Sequence, residues 1–266
     1  MECQERGVIH YARSDHKGHH KPNELIHLRK EALEEARRFK EVAHRIEEAI
    51  LDNSLELNFQ PIYSFEKNRI TSLEVLSRLK DGKHNYINPE YFIHVAEINH
   101  TIIQLSRQMF EKTCRFAVDN NIFDRGINDM NINISPIQCQ DKHLVQDLKK
   151  IAAKYGIPFE RFHFEITESR LTDEKAVRET LTKLKENGAK IALDDFGTGY
   201  SNIASIMLMP IDFVKIDKSL LWSYASGDNE FLNELMPMIR GEGKKIIAEG
   251  IETEEHIEIL RRMGGD

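Results

Sequence analysis

Residues 190–202 read KIALDDFGTGYSN. An apolar run, Ile191 to Leu193, ends in two adjacent aspartates, and Gly197 and Gly199 follow at once. The run predicts a buried strand, and the glycines predict a cheap, sharp exit from it. Adjacent carboxylates repel, and successive side chains of a strand point to opposite faces. Asp194 and Asp195 can therefore share one side only if the strand ends or bends there. The pair becomes tolerable when cations sit between the carboxylates.

The same pattern recurs on both sides. Strand candidates are ELNFQPIYSF (56–65), ITSLEVLSRL (70–79), DMNINIS (129–135), RFHFEITES (161–169), KIALDDF (190–196), DFVKID (212–217) and KIIAEGI (245–251). Helical stretches such as TIIQLSRQMFEKTCRFAVDNN and DEKAVRETLTKLKENG lie between them. From the third strand onward the repeat is roughly thirty residues, as βα units require. The order predicts an α/β fold of the (β/α) barrel type, with a doubly wound open sheet as the alternative. No G-x-G-x-x-G follows the first strand, and GEGKK (241–245) lacks phosphate-loop spacing.

Catalytic groups of parallel barrels sit at the C-terminal ends of the strands. Period-two alternation puts Glu74, Leu76 and Arg78 on one face of their strand. It groups Asn131, Asn133 and Ser135 on another, and His163, Glu165 and Thr167 on a third. Lys215 shares a face with Asp217, and Glu249 follows an apolar strand. Glu74, Asn133, Glu165, Asp194 and Asp195 form an all-oxygen donor set, which suits hard divalent cations such as Mg²⁺ or Mn²⁺. Two such ions polarise a phosphoryl oxygen and acidify water. Lys215 would orient that water or offset developing charge. The residues alone thus point to metal-assisted hydrolysis.

Composition narrows the setting. The chain has 266 residues, a formal net charge of −7 and 40% hydrophobic residues, enough for a sizeable core without the basic stripe that nucleic-acid polymers need. Cys3, Cys114 and Cys139 are odd in number and far apart, so neither a disulfide framework nor a zinc spacing is expected, and a reducing cytoplasm fits. No apolar run has the length of a membrane span, and no signal-peptide core follows Met1. Residues 1–22 read as a polar tail with a histidine cluster. Residues 23–51 read as one charged linker or signalling helix capped by Asn23, with an apolar stripe of Leu28, Ala32, Ala36, Phe39, Val42, Ile46 and Ile50. The barrel is assigned to 52–266.

The motifs EVLSR (74–78), FQPIYSF, NINIS, FEITES, DDFGTGYSN, MPIDFVKID and AEGIET occur in one order and spacing. Together they resemble the EAL-domain cyclic-di-GMP phosphodiesterases. The resemblance implies a TIM-like barrel whose second strand is antiparallel to the others, and hydrolysis of cyclic di-GMP to linear pGpG with two Mg²⁺ or Mn²⁺ ions. It implies that Glu74, Asn133, Glu165 and Asp194 hold one ion, while Asp195 completes the second site with Asp194 bridging. Lys215 would contact the attacking water, and Glu249 the second ion or its water. Arg78, beside Leu76, would reach a substrate phosphate, and Gln60 would contact substrate or water. Glu168 would anchor the loop that carries Gly197 and Gly199. A homodimer through the helix after GTGYSN is also implied.

The ends depart from that pattern. The chain stops at RRMGGD, before the eighth strand that closes such barrels, so a C-terminally truncated barrel is expected. Its first residues resemble the tail of an upstream GGDEF-type or sensory domain. A barrel that binds cyclic di-GMP or a protein partner without turnover is the second functional reading.

Overall fold

The structure, a computed structural model, describes residues 22–167, 174–197 and 209–265. It opens with helix α1 (Pro22–Leu51), which begins one residue before the expected Asn23 cap. Pro22 suits that first position, where its missing N–H has no helical partner to lose. Among the described side chains of the expected apolar stripe, Ala32 and Ala36 are exposed and the later positions meet the protein. Val42 and Ile46 are buried with Ala49, Phe39 and Ile50 are partly covered, and Leu33 is 63% exposed.

The remaining elements are β1 (Glu56–Ser64), β2 (Arg69–Lys80), β3 (Tyr86–Ile87), α2 (Pro89–Ile98), α3 (Ile102–Asp119), β4 (Asp129–Asn133) and α4 (Leu144–Lys154). They continue with β5 (Phe162–Thr167), α5 (Glu174–Glu186), β6 (Lys190–Phe196), β7 (Phe213–Ile216), α6 (Lys218–Ala225), α7 (Leu232–Gly241), β8 (Lys245–Ala248) and α8 (Glu254–Met263). The sheet runs β1-β2-β4-β5-β6-β7-β8, and β3 pairs with the end of β2. All seven expected strands form it, and the curled, mostly parallel sheet is of the TIM-like barrel kind. β3, α6 and α8 were not expected from the sequence.

The reversed strand is β1, not the second strand. β2 pairs in parallel with β4, placing Glu74 beside Asn131, while β1 and β2 pair antiparallel. The reason lies in the connections. A four-residue turn at 65–68, with Asn68 at φ 51°, leaves room only for an antiparallel hairpin. The long passage through α2 and α3 allows the parallel return from β2 to β4. Glu74 thereby reaches the same end of the sheet as the acids of β5 and β6.

The outward strand faces carry the core. Val75, Met130, Ile132, Phe164, Ile166, Leu193 and Val214 are all buried. Phe110 of α3 packs on Phe162 of β5 with ring centroids 4.7 Å apart. The inward faces carry the polar groups. Among the described residues β1 and β8 do not pair with each other. A cleft of about 580 Å³ opens at that seam, lined by Gln60, Asn131, His163, Lys215, Ile247 and Glu249 among others.

Candidate metal centre

Strand register gathers the acids. Asn133 lies beside Glu165, Thr167 beside Asp194, and Lys215 beside Ile247. Glu249 follows β8 directly and is held there by its N–H, which donates to the Ile216 carbonyl at 3.1 Å. Lys215 is 1% exposed, and its Nζ is the hub. It lies 2.8 Å from Asp194 Oδ1, 2.9 Å from Glu165 Oε2, 2.9 Å from Glu249 Oε1 and 3.1 Å from Glu74 Oε2. An ammonium has three N–H donors and cannot serve four carboxylates at once. Asp194 Oδ1 is the atom left over: it is buried, close to Nζ, and accepts no hydrogen bond among the described residues.

The two adjacent aspartates reach this point through a break in β6. The β6–β7 register shifts between Leu193 and Phe196. Asp195 takes a left-handed backbone, φ 55°, a conformation that Asp tolerates better than most residues. Glu74, Glu165 and Asp194 each offer an oxygen within 4.8 Å of the others, and so do Asp194, Asp195 and Glu249. Asp194 belongs to both groups.

The charges are out of balance. Five carboxylates face one ammonium. Burial pushes the Glu165 carboxyl up to about 8 against the pull of Lys215, and Glu74 and Asp194 add to the rise. Burial also raises Asp195, with Asp194 adding to it, and raises Glu249 against Lys215. Burial by itself would lower the Lys215 ammonium, but Glu165, Asp194, Glu74 and Glu249 outweigh it and hold its pKa well above the usual lysine value. A surplus of buried, oxygen-only negative charge with an unserved acceptor fits hard divalent cations.

The sequence profile of the EAL domain matches residues 43–266. The chain belongs to the EAL domain family. Among curated EAL relatives, an uncharacterized signaling protein of Caulobacter vibrioides is 31% identical over 239 residues, covering 88% of this chain and 29% of the relative. Cyclic di-GMP phosphodiesterase NbdA of Pseudomonas aeruginosa is 27% identical over 224 residues, covering 83% of this chain and 29% of the relative. This chain thus spans less than a third of the length of either. The solved phosphodiesterase of MucR from the same species, in complex with c-di-GMP, superposes with a TM-score of 0.75 at 28% identity, covering 85% of this chain and 92% of that one.

The other EAL positions read from the sequence fall as follows. Asn133 joins the cluster, its Nδ2 3.3 Å from Glu74 Oε1. Gln60 pairs with Glu74 across the β1–β2 ladder and lines the cleft. Leu76 and Arg78 lie farther along β2, and the Arg78 guanidinium donates to its neighbour's carbonyl, Ser77 O, at 2.9 Å. Gly197 has φ 104°, where a Cβ would run into the Leu220 side chain. Glu168, Gly199 and the helix expected after GTGYSN lie outside the described residues, as do the tail histidines. Asp217 caps α6 by accepting from Ser219 N–H at 2.8 Å. Asn131, which was not among the expected site residues, donates from Nδ2 to Glu165 Oε1 at 2.7 Å. The alternation had already placed it on the inward face.

Proposed function

We propose that this chain hydrolyses cyclic di-GMP to linear pGpG with two divalent cations, Mg²⁺ or Mn²⁺. The observation that carries this reading is the pair of acid clusters sharing Asp194 at the C-terminal end of an EAL-family sheet. The names of NbdA and of the MucR complex support the same substrate. Glu74, Asn133, Glu165 and Asp194 would hold one ion, and Asp194, Asp195 and Glu249 the other. When bound, the ions would polarise the phosphoryl oxygen and acidify water. Lys215 would orient the attacking water through Nζ and offset charge as it builds on phosphorus-bound oxygen. Arg78 and Leu76 would seat the substrate at the rim, and Gln60 would contact it or the water. Glu168 would anchor the loop begun by Gly197 and Gly199.

The resemblance carries further parts of this reading: a barrel over 52–266 behind a linker helix, a cytoplasmic homodimer, and a sensory or GGDEF-type segment upstream. The competing reading is a barrel that binds cyclic di-GMP without turnover. One assay separates them. The purified chain is incubated with cyclic di-GMP and Mn²⁺ or Mg²⁺, and pGpG is followed by chromatography. Turnover that falls at least about 100-fold in Asp194→Asn supports the hydrolase. A folded chain that binds cyclic di-GMP and releases no pGpG sinks it.

A further inference from the structure

Asn131 is 1% exposed on the inward face of β4, level with Glu74 on β2 and His163 on β5. It stands two residues before Asn133, so it forms the floor below the acid cluster. Its Nδ2 donates to Glu165 Oε1 at 2.7 Å, and Lys215 Nζ donates to Glu165 Oε2 at 2.9 Å. Each oxygen of this fully buried carboxylate therefore carries one donor. The amide orientation follows from the partner, since a carboxylate oxygen needs a donor opposite it. The other end of the amide, Oδ1, is buried without a hydrogen-bond partner among the described residues. The side chain thus gives up one acceptor to keep its donor on Glu165.

We infer that Asn131 is a positioning residue for the metal centre: by holding Oε1 from below, it fixes the rotation of the Glu165 carboxylate, so that Oε2 stays turned toward the acid cluster. Lys215 holds the other oxygen from within the cluster, where a cation would compete with it. Asn131 holds from outside the cluster, so its bond can persist when an ion arrives. Partners behind a ligand of this kind commonly tune metal affinity by about ten-fold or more.

This inference rests on the two-cation reading above, and Mn²⁺ binding by calorimetry separates the two. Wild type, Asn131→Ala and Asn131→Ser are titrated with Mn²⁺ alone, after circular dichroism shows which variants keep the wild-type spectrum. Either variant that keeps it decides the matter. The expected result is Mn²⁺ affinity weakened about ten-fold or more in Asn131→Ala and less in Asn131→Ser, which keeps a donor. In a Glu165→Gln background, Asn131→Ala should cost little more. In turnover assays the Mn²⁺ concentration giving half-maximal rate should rise, while KM for cyclic di-GMP at saturating Mn²⁺ stays put. Wild-type Mn²⁺ affinity in a folded variant overturns the role of Asn131 alone. Full additivity with Glu165→Gln also overturns it. No Mn²⁺ binding by the wild type overturns both this inference and the metal centre.

Discussion

Lys215 is among the largest fully buried side chains of the protein, yet it carries a charge. Its burial is tolerable only because carboxylates surround it, and theirs is tolerable only because it is there. Removing the ammonium leaves Glu74, Glu165, Asp194 and Glu249 crowded without a counter-charge. Lys215→Met keeps most of the volume and removes the charge. In EDTA it should lower unfolding stability by about 3–5 kcal/mol, read from urea midpoints. Saturating Mn²⁺ should restore much of that loss, because the ion replaces the missing positive charge. A variant as stable as the wild type in EDTA would show that the ion pairs contribute nothing. Stability restored by Mn²⁺ without turnover would separate the structural part of Lys215 from its part in the reaction.

At the scale of the element, the end of β6 decides how many cations the protein can hold. The register shift and the left-handed Asp195 turn both consecutive carboxylates toward the mouth, and among the described residues only Asp194 reaches both clusters. Asp194→Asn should therefore abolish both Mn²⁺ sites in a calorimetric titration, and Asp195→Asn only one. Equal stoichiometries in the two variants would rule out a bridging Asp194. The exit from the strand is set by Gly197, where a Cβ would run into Leu220 and φ is positive. Gly197→Ala should cost about 1–3 kcal/mol in urea unfolding, and a neutral result would show that the turn can relax. Much of this was legible beforehand. Apolar runs ending in acids located the seven strands, and alternation put Glu74, Asn133, Glu165 and Lys215 on one inward surface. What was not legible has physical causes. β3 is two residues long and α6 eight, too short to show a period. A hairpin implies an antiparallel pair but does not say which member runs with the rest, so β1 could not be told from β2. The role of Asn131 depends on which way an amide is turned, and no spacing encodes that.

At the scale of the whole molecule, one point is fed by almost every strand of the sheet. Glu74 comes from β2, Asn133 from β4, Glu165 from β5, Asp194 from β6, Lys215 from β7 and Glu249 from the end of β8. A cation bound there ties side chains from strands on both sides of the barrel interior together, in a sheet whose first and last strands do not pair among the described residues. Ion binding and global stability should therefore be linked. At 100 times its dissociation constant, an ion bound only by the native state adds about 2.7 kcal/mol. Mn²⁺ should raise the unfolding midpoint accordingly, and Asp194→Asn should not respond. Ca²⁺ gives a sharper test. It takes oxygen ligands, so it should also stabilise the fold. It accepts more ligands in a looser arrangement than Mg²⁺, so it should hold the carboxylates in a geometry unsuited to the reaction. The expected outcome is a raised melting temperature with either ion, but pGpG formation with Mn²⁺ and inhibition when Ca²⁺ is added in excess. Turnover unchanged by a stabilising concentration of Ca²⁺ would mean that the ions tie the strands together without taking part in the chemistry.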